Sequence, residues 1–201
     1  MKNQCILIGK HGSGKTMFCV QFAKFLGLRE LEWWVERADG TTELKRMSLK
    51  EVSRGIVDTS HRTEYMQTVS MELRHRTKRL QLVLTDTAGL CDGIPNDMRI
   101  RSAIAQTLKA MVNTHILFHV IDVQSFALAS GNSIQTLDHA LAAFGSTRKD
   151  YVILANKMDL PGAKKGYHML KRAFPKQRVI PISALTGIGF REVKRYVRQL
   201  A

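Results

Sequence analysis

The feature that most constrains this chain is the octapeptide GKHGSGKT, Gly9 to Thr16, set directly after the apolar run CILI (5–8). It fits the spacing GxxxxGK[ST], in which a strand gives way to a glycine-rich turn and then a helix. Gly9, Gly12 and Gly14 permit positive φ and let backbone N–H groups close around phosphate oxygens. Lys15 supplies a point charge for the β- and γ-phosphates, the Thr16 hydroxyl is suited to Mg2+, and the helix N-terminus adds partial positive charge. The backbone itself is the ligand here, so this stretch needs almost no side chains before its end. The fold must bring a strand end and a helix start together at this loop.

The remaining pattern supplies such a fold. The runs CILI (5–8), LQLVLT (80–85), ILFHVI (116–121), YVILA (151–155) and VIPI (179–182) show no clean alternation, as expected of strands covered by helices on both faces. Pro181 lacks a ladder donor, which places VIPI at a sheet edge. Between them lie helical repeats. Phe18, Phe22, Phe25 and Leu26 share a face stopped by Gly27, and Ile104, Leu108 and Met111 follow a cap at Asn96 or Asp97. Ile134, Leu137, Leu141 and Phe144 end at Gly145, and Phe190, Val193, Val197 and Leu200 line a last helix. Strands alternating with helices predict a doubly wound α/β fold with a mostly parallel sheet. Residues 29–58 interrupt this rhythm. EWWVERADGTTELKRM reads as a hairpin turning near Asp39-Gly40, with one of Trp33 and Trp34 in the core, and LKEVSRGIV as a short helix after Ser48. MQTVSMELRH (66–75) reads as a strand pairing with the one that ends at Asp86.

Three further motifs narrow the ligand. DTAG (86–89) puts Asp86 at a strand end, where a carboxylate can hold a magnesium water shell, and Gly89 where its N–H can sense a γ-phosphate. NKMD (156–159) follows YVILA. The Asp159 carboxylate can accept from guanine N1–H and the exocyclic amine, a donor pair that adenine lacks. Lys157 can lay its stem over the base and Asn156 can tie this loop to the phosphate loop. Ser183-Ala184-Leu185 offers backbone amides to guanine O6.

In this order the four segments resemble the Ras-like GTPases of the P-loop class, with a pattern most similar to the bacterial Era and TrmE branch. The resemblance covers most of the chain apart from 29–58. It implies a single GTPase domain over 1–201 that hydrolyses GTP to GDP with Mg2+. Nucleotide contacts are implied for Gly9, His11, Gly12, Ser13, Gly14, Lys15, Thr16, Asp86, Gly89, Asn156, Lys157, Asp159, Ser183, Ala184 and Leu185. It also implies a first-switch threonine that joins Thr16 and Asp86 at the metal. Thr63 has about the right offset, with Thr59 and Thr68 as competitors, so catalysis is expected of Lys15, Thr63 and Gly89. LCDGIPNDM (90–98) takes the place of the second switch. Leu90 stands where many relatives have a water-orienting glutamine, Gly12 where potassium-dependent ones have asparagine, and His11 where a small residue is common. The His11 imidazole either meets the γ-phosphate or faces solvent. Slow intrinsic turnover is expected, raised by a partner whose missing group contributes on the order of 10³–10⁵ in rate.

Composition bounds the setting. No apolar run approaches the roughly 20 residues of a membrane span. With Cys5, Cys19 and Cys91 scattered and no signal-peptide pattern, a cytoplasmic chain is expected. The net charge of +14 points to an acidic partner such as RNA, a ribosome or an anionic membrane surface. Three concentrations carry it: Arg191, Lys194, Arg195 and Arg198 as a helical stripe, Arg74 to Arg79, and Lys164 to Arg178. A nucleotide-dependent recruitment module that docks a protein or membrane partner with little hydrolysis is the alternative reading. The Asp159→Asn variant is expected to shift preference from guanine toward xanthine, measured by competition binding; undiminished guanine affinity would remove the base assignment.

Overall fold

The structure is a computed structural model describing residues 2–37, 39–49, 65–75, 78–128 and 136–200. The apolar run before the phosphate loop forms β1 (Lys2–Ile8), which pairs in parallel with β5 (Lys78–Asp86) on one side and β6 (Ile116–Asp122) on the other. Parallel pairing continues through β7 (Asp150–Asn156) to β8 (Arg178–Pro181), which occupies the edge expected from Pro181. On the other side β4 (Met66–His75) pairs antiparallel with β5, followed by β2 (Glu30–Glu36) and β3 (Thr42–Ser48). The eight strands form one sheet in the order β3-β2-β4-β5-β1-β6-β7-β8. The hairpin in the interrupting segment therefore extends the sheet. Its turn is held by Asp39 Oδ1, which accepts from the Thr41 N–H and hydroxyl, and Gly40 supplies a φ of 84°.

Among the described residues six helices cover the sheet: α1 (Lys15–Phe25), α2 (Met98–Asn113), α3 (Val123–Leu128), α4 (Thr136–Ser146), α5 (Ala163–Ala173) and α6 (Phe190–Gln199). On one face Cys5 and Leu7 pack with Phe18, Phe22, Phe118 and Phe190; on the other, Ile6 and Ile8 pack with Met111, Leu141 and Leu170. Both faces of β1 are dry, which is why its apolar run does not alternate. Cys5 and Cys19 are core residues and Cys91 is exposed. Trp33 is 2% exposed and Trp34 54%, the split expected of neighbours on a strand.

Two helical readings need correction. The buried stripe of α2 is Ala103, Thr107 and Met111, while Leu108 faces outward. Thr107 can occupy the core because its hydroxyl donates to the Ala103 carbonyl, 3.0 Å away. Gly145 does not stop α4 but lies within it: a Cβ there would sit 2.3 Å from the Tyr151 ring. Asp97 is the α2 cap, accepting from the Arg99 N–H at 2.8 Å. Ile134 and most of the segment read as a helix after Ser48 lie outside the described residues. The carboxyl ends of β5, β1, β6, β7 and β8 share one edge of the sheet, so DTAG, the phosphate loop, Asp122, NKMD and Ser183-Ala184-Leu185 emerge side by side.

Candidate functional site

The glycine loop passes into α1 through Gly14, with a φ of 97° and no side-chain cap. A Cβ on Gly14 would lie 2.2 Å from Asn156 Nδ2, so glycine is required both by conformation and by close approach. Lys15, at the first residue of α1, is buried and donates to the carbonyls of Gly9 and Lys10 at 3.1 and 3.0 Å. Its ammonium thus sits inside the turn, where a chain of phosphates would lie.

Asn156 joins this loop to two others. Its Nδ2 donates to the Ser13 carbonyl at 2.7 Å, and its Oδ1 accepts from the Ala184 N–H at 2.8 Å. The Met158 N–H donates to the Ile182 carbonyl, stitching the NKMD turn to the loop after β8. Lys157 adopts a left-handed φ of 68°, and its ammonium lies 2.7 Å from Asp122 Oδ2. Burial pushes the Asp122 carboxyl up, but Lys157 and Ser125 hold it below the usual range. With the Lys157 head fixed there, Asp159 is left exposed at the mouth of the site. The Ser183 N–H donates to the Ile188 carbonyl and the Ala184 N–H to Asn156 Oδ1, which fixes the Ser183-Ala184-Leu185 turn beside the NKMD loop.

Where the loop enters α1, Thr16 donates to Asp86 Oδ2 at 2.7 Å. Among the described residues, Asp86 Oδ1 and Ser13 Oγ are buried without a hydrogen-bond partner. An orphaned carboxylate oxygen beside a hydroxyl fits a hydrated Mg2+ ion. Burial raises the Asp86 carboxyl to about 6 against the pull of Thr16 and Lys15, and lowers the Lys15 ammonium to about 8 against the pull of Asp86.

Gly89 approaches the phosphate loop so closely that a Cβ would lie 2.6 Å from His11 Cα. His11 is exposed and lines a cavity of about 320 Å3 with Gly89, Cys91, Asp92 and Arg99. Leu90 turns away from it into the core, 3% exposed, and its N–H donates to the Gly9 carbonyl. Thr68 is drawn into β4, with its hydroxyl 3.1 Å from that of Thr85, while Thr59 and Thr63 lie outside the described residues.

Residues 4–157 match the model of a family described as 50S ribosome-binding GTPases. The chain belongs to that family. It is 29% identical over 119 residues to the GTPase Obg of Elusimicrobium minutum, a match covering 58% of this chain and 25% of that protein. It is 32% identical over 112 residues to that of Borrelia hermsii, covering 56% and 33%. The chain thus spans a third or less of the length of these curated relatives. Its fold is that of Era from Aquifex aeolicus bound to GDP and AlF4− (TM-score 0.66, 15% identity, 98% of this chain and 56% of that one). The G domain of the T. maritima FeoB iron transporter is also similar (TM-score 0.56, 18% identity, 99% and 98%). The resemblance to P-loop GTPases holds in sequence, and the likeness to Era holds in fold.

Within this GTPase domain the structure adds residues that the motifs did not mark. Asp122 is one. The others are Lys10, Asp92, His119, Asp138 and Tyr151, which form a polar chain behind the phosphate loop. Their only signals in sequence were a histidine inside ILFHVI and an aspartate on an apolar helix face. Of the basic groups, Arg191 and Arg195 are exposed, but Lys194 lies over the Phe25 ring and Arg178 over Tyr196. Residue 76 and the side chains of Arg74, His75, Lys78 and Arg79 lie outside the described ones. Restoring a glutamine, Leu90→Gln, is expected to cost about 3 kcal/mol from lost burial and an unpaired amide, read by urea unfolding, without faster hydrolysis.

Proposed function

We propose that this chain is a Mg2+-dependent GTP-binding protein that hydrolyses GTP to GDP and phosphate and acts as a molecular switch. The Asn156 bridge carries this reading, because it fixes the spacing between a phosphate cradle and the Asp159 carboxylate. Lys15 and the loop amides hold the phosphates, and Asp159 reads the guanine edge across the stem of Lys157. Thr16 and Asp86 support the metal, joined in this reading by Thr63. The Gly89 N–H senses the γ-phosphate, and its loss lets residues 90–98 relax. With Leu90 buried, the chain lacks the glutamine that would orient water, which supports slow intrinsic turnover raised by a partner.

The net charge of +14 supports an RNA or ribosomal partner, and one structural neighbour is Era in complex with MgGDPNP and nucleotides of 16S ribosomal RNA (TM-score 0.63, 16% identity, 98% of this chain and 56% of that one). Among the described residues no helix is long and apolar enough to cross a membrane, and the proposed setting is cytoplasmic. The exposed Trp34 and Leu44 on the edge hairpin favour a second reading, recruitment of a protein partner with little turnover.

Single-turnover hydrolysis with Mg2+ separates the two: slow cleavage that added ribosomes accelerate supports the switch, and no cleavage under either condition supports recruitment. The affinity for MgGDP is expected to be highest between about pH 6 and 8. Below that window Asp86 takes up a proton and weakens the metal; above it Lys15 loses its charge. A fluorescent-GDP titration that is flat from pH 5 to pH 9 would contradict these roles.

A further inference from the structure

A line of buried polar contacts ends on the phosphate loop. The Tyr151 hydroxyl on β7 lies 2.8 Å from His119 Nδ1 on β6, and His119 Nε2 lies 3.2 Å from Asp138 Oδ1 on α4. Asp138 Oδ2 is 3.2 Å from the Lys10 ammonium, which also lies 3.5 Å from Asp92 Oδ2 in the segment after DTAG. The other oxygen of Asp92, Oδ1, accepts from the Leu137 N–H in the first turn of α4, at 3.1 Å. His119 is fully buried and the Asp138 side chain is 6% exposed, whereas that of Asp92 is 44% exposed.

A buried carboxylate is costly unless it is paired, so Asp138 dictates where the Lys10 cation sits. Burial pushes the Asp138 carboxyl up, yet His119 and Lys10 hold it below the usual range. The backbone of Lys10 is fixed as well. Its carbonyl accepts from Lys15, and it bridges to Leu90, whose N–H reaches the Gly9 carbonyl. Lys10 therefore touches both the phosphate grip and the segment that must move.

We propose that Lys10 and Asp92 form a clasp that seats the second switch on the phosphate loop and on α4, with Asp138, His119 and Tyr151 as its fixed anchor, and that a γ-phosphate opens it. Asp92 lines the same cavity as His11 and Gly89. A γ-phosphate arriving at Gly89 brings negative charge to that cavity, repels the Asp92 carboxylate and competes with it for Lys10. Asp138 cannot leave, because it is enclosed between α4 and β6. Asp92 can, and its departure also releases the Leu137 amide. Lys10 and Asp138 are thus positioning residues for the nucleotide cycle. The clasp rests on the guanine-nucleotide reading and gives the phosphate-free switch a defined seat.

The chain carries its own reporter. Cys91, next to Asp92, is exposed, whereas Cys5 and Cys19 are fully buried and burial raises their thiols. A disulfide reagent applied to the folded protein therefore reads Cys91 alone. The experiment measures its rate with GDP and with a non-hydrolysable GTP analogue, with fluorescent-GDP binding followed in parallel. The wild-type rates with the two nucleotides are expected to differ by at least about fivefold, because opening the clasp changes the setting of the thiol beside Asp92. Asp92→Asn and Asp138→Asn should bring the GDP rate to that of the analogue, and Asp92→Glu should leave it at the wild-type GDP value. An Asp92→Asn rate with GDP equal to wild type, or a wild-type rate that ignores the nucleotide, overturns the clasp. Should Asp138→Asn unfold, three thiols react instead of one and the exposed Asp92 variants decide. Failure of the wild type to bind GDP would overturn the nucleotide reading itself.

Discussion

Everything at this site depends on one amide side chain. Asn156 stands at the end of a buried strand and spends its donor on the phosphate loop and its acceptor on the loop after β8. Three segments far apart in sequence thereby share one rigid frame, and the distance from the phosphate loop to Asp159, the carboxylate proposed to read the base, stops being adjustable. Gly14 is part of the same constraint, because any side chain there would strike the Asn156 amide. The parallel arrangement of β1, β6, β7 and β8 makes the frame possible by delivering all three loops to one edge.

Charge is distributed around that frame in an unrelaxed way. Lys15 and Asp86 are both buried, and each is pushed toward its neutral form by loss of water. A phosphate chain and a hydrated cation would answer both groups at once, the phosphate pairing with the ammonium and the metal with the orphaned carboxylate oxygen. The hydrolytic side of the site is poorer. Leu90 is part of the core, and Gly89 has no room for a side chain. Neither residue can orient water or add charge beyond that of Lys15, the physical argument behind the proposed dependence on a partner.

The parts legible in the sequence are those in which a local rule decides. CILI announced a strand covered on both faces, Pro181 an edge, and the Trp33-Trp34 pair a hairpin with one inward ring. The phosphate loop, DTAG and NKMD were readable because their chemistry requires fixed spacing. Misreadings arose where tertiary packing overrode a local cue. Leu108 fits the apolar period of α2, yet Thr107 takes the buried place by bonding its own helix. Gly145 looked like a stop, yet it is small because Tyr151 packs on it. The chain from Tyr151 through His119 and Asp138 to Lys10 was invisible for a deeper reason: its members lie on two strands, one helix and the phosphate loop, and no periodicity links them.

The central claim is that a carboxylate and a glycine cradle, held at fixed separation, select a guanine nucleotide. Titration calorimetry with Mg2+ tests it most directly by comparing GTP with ATP on the intact chain. The account predicts tight binding of GTP, with ATP weaker by on the order of 10³-fold or more. Equal binding of the two nucleotides, or binding of neither, would contradict it.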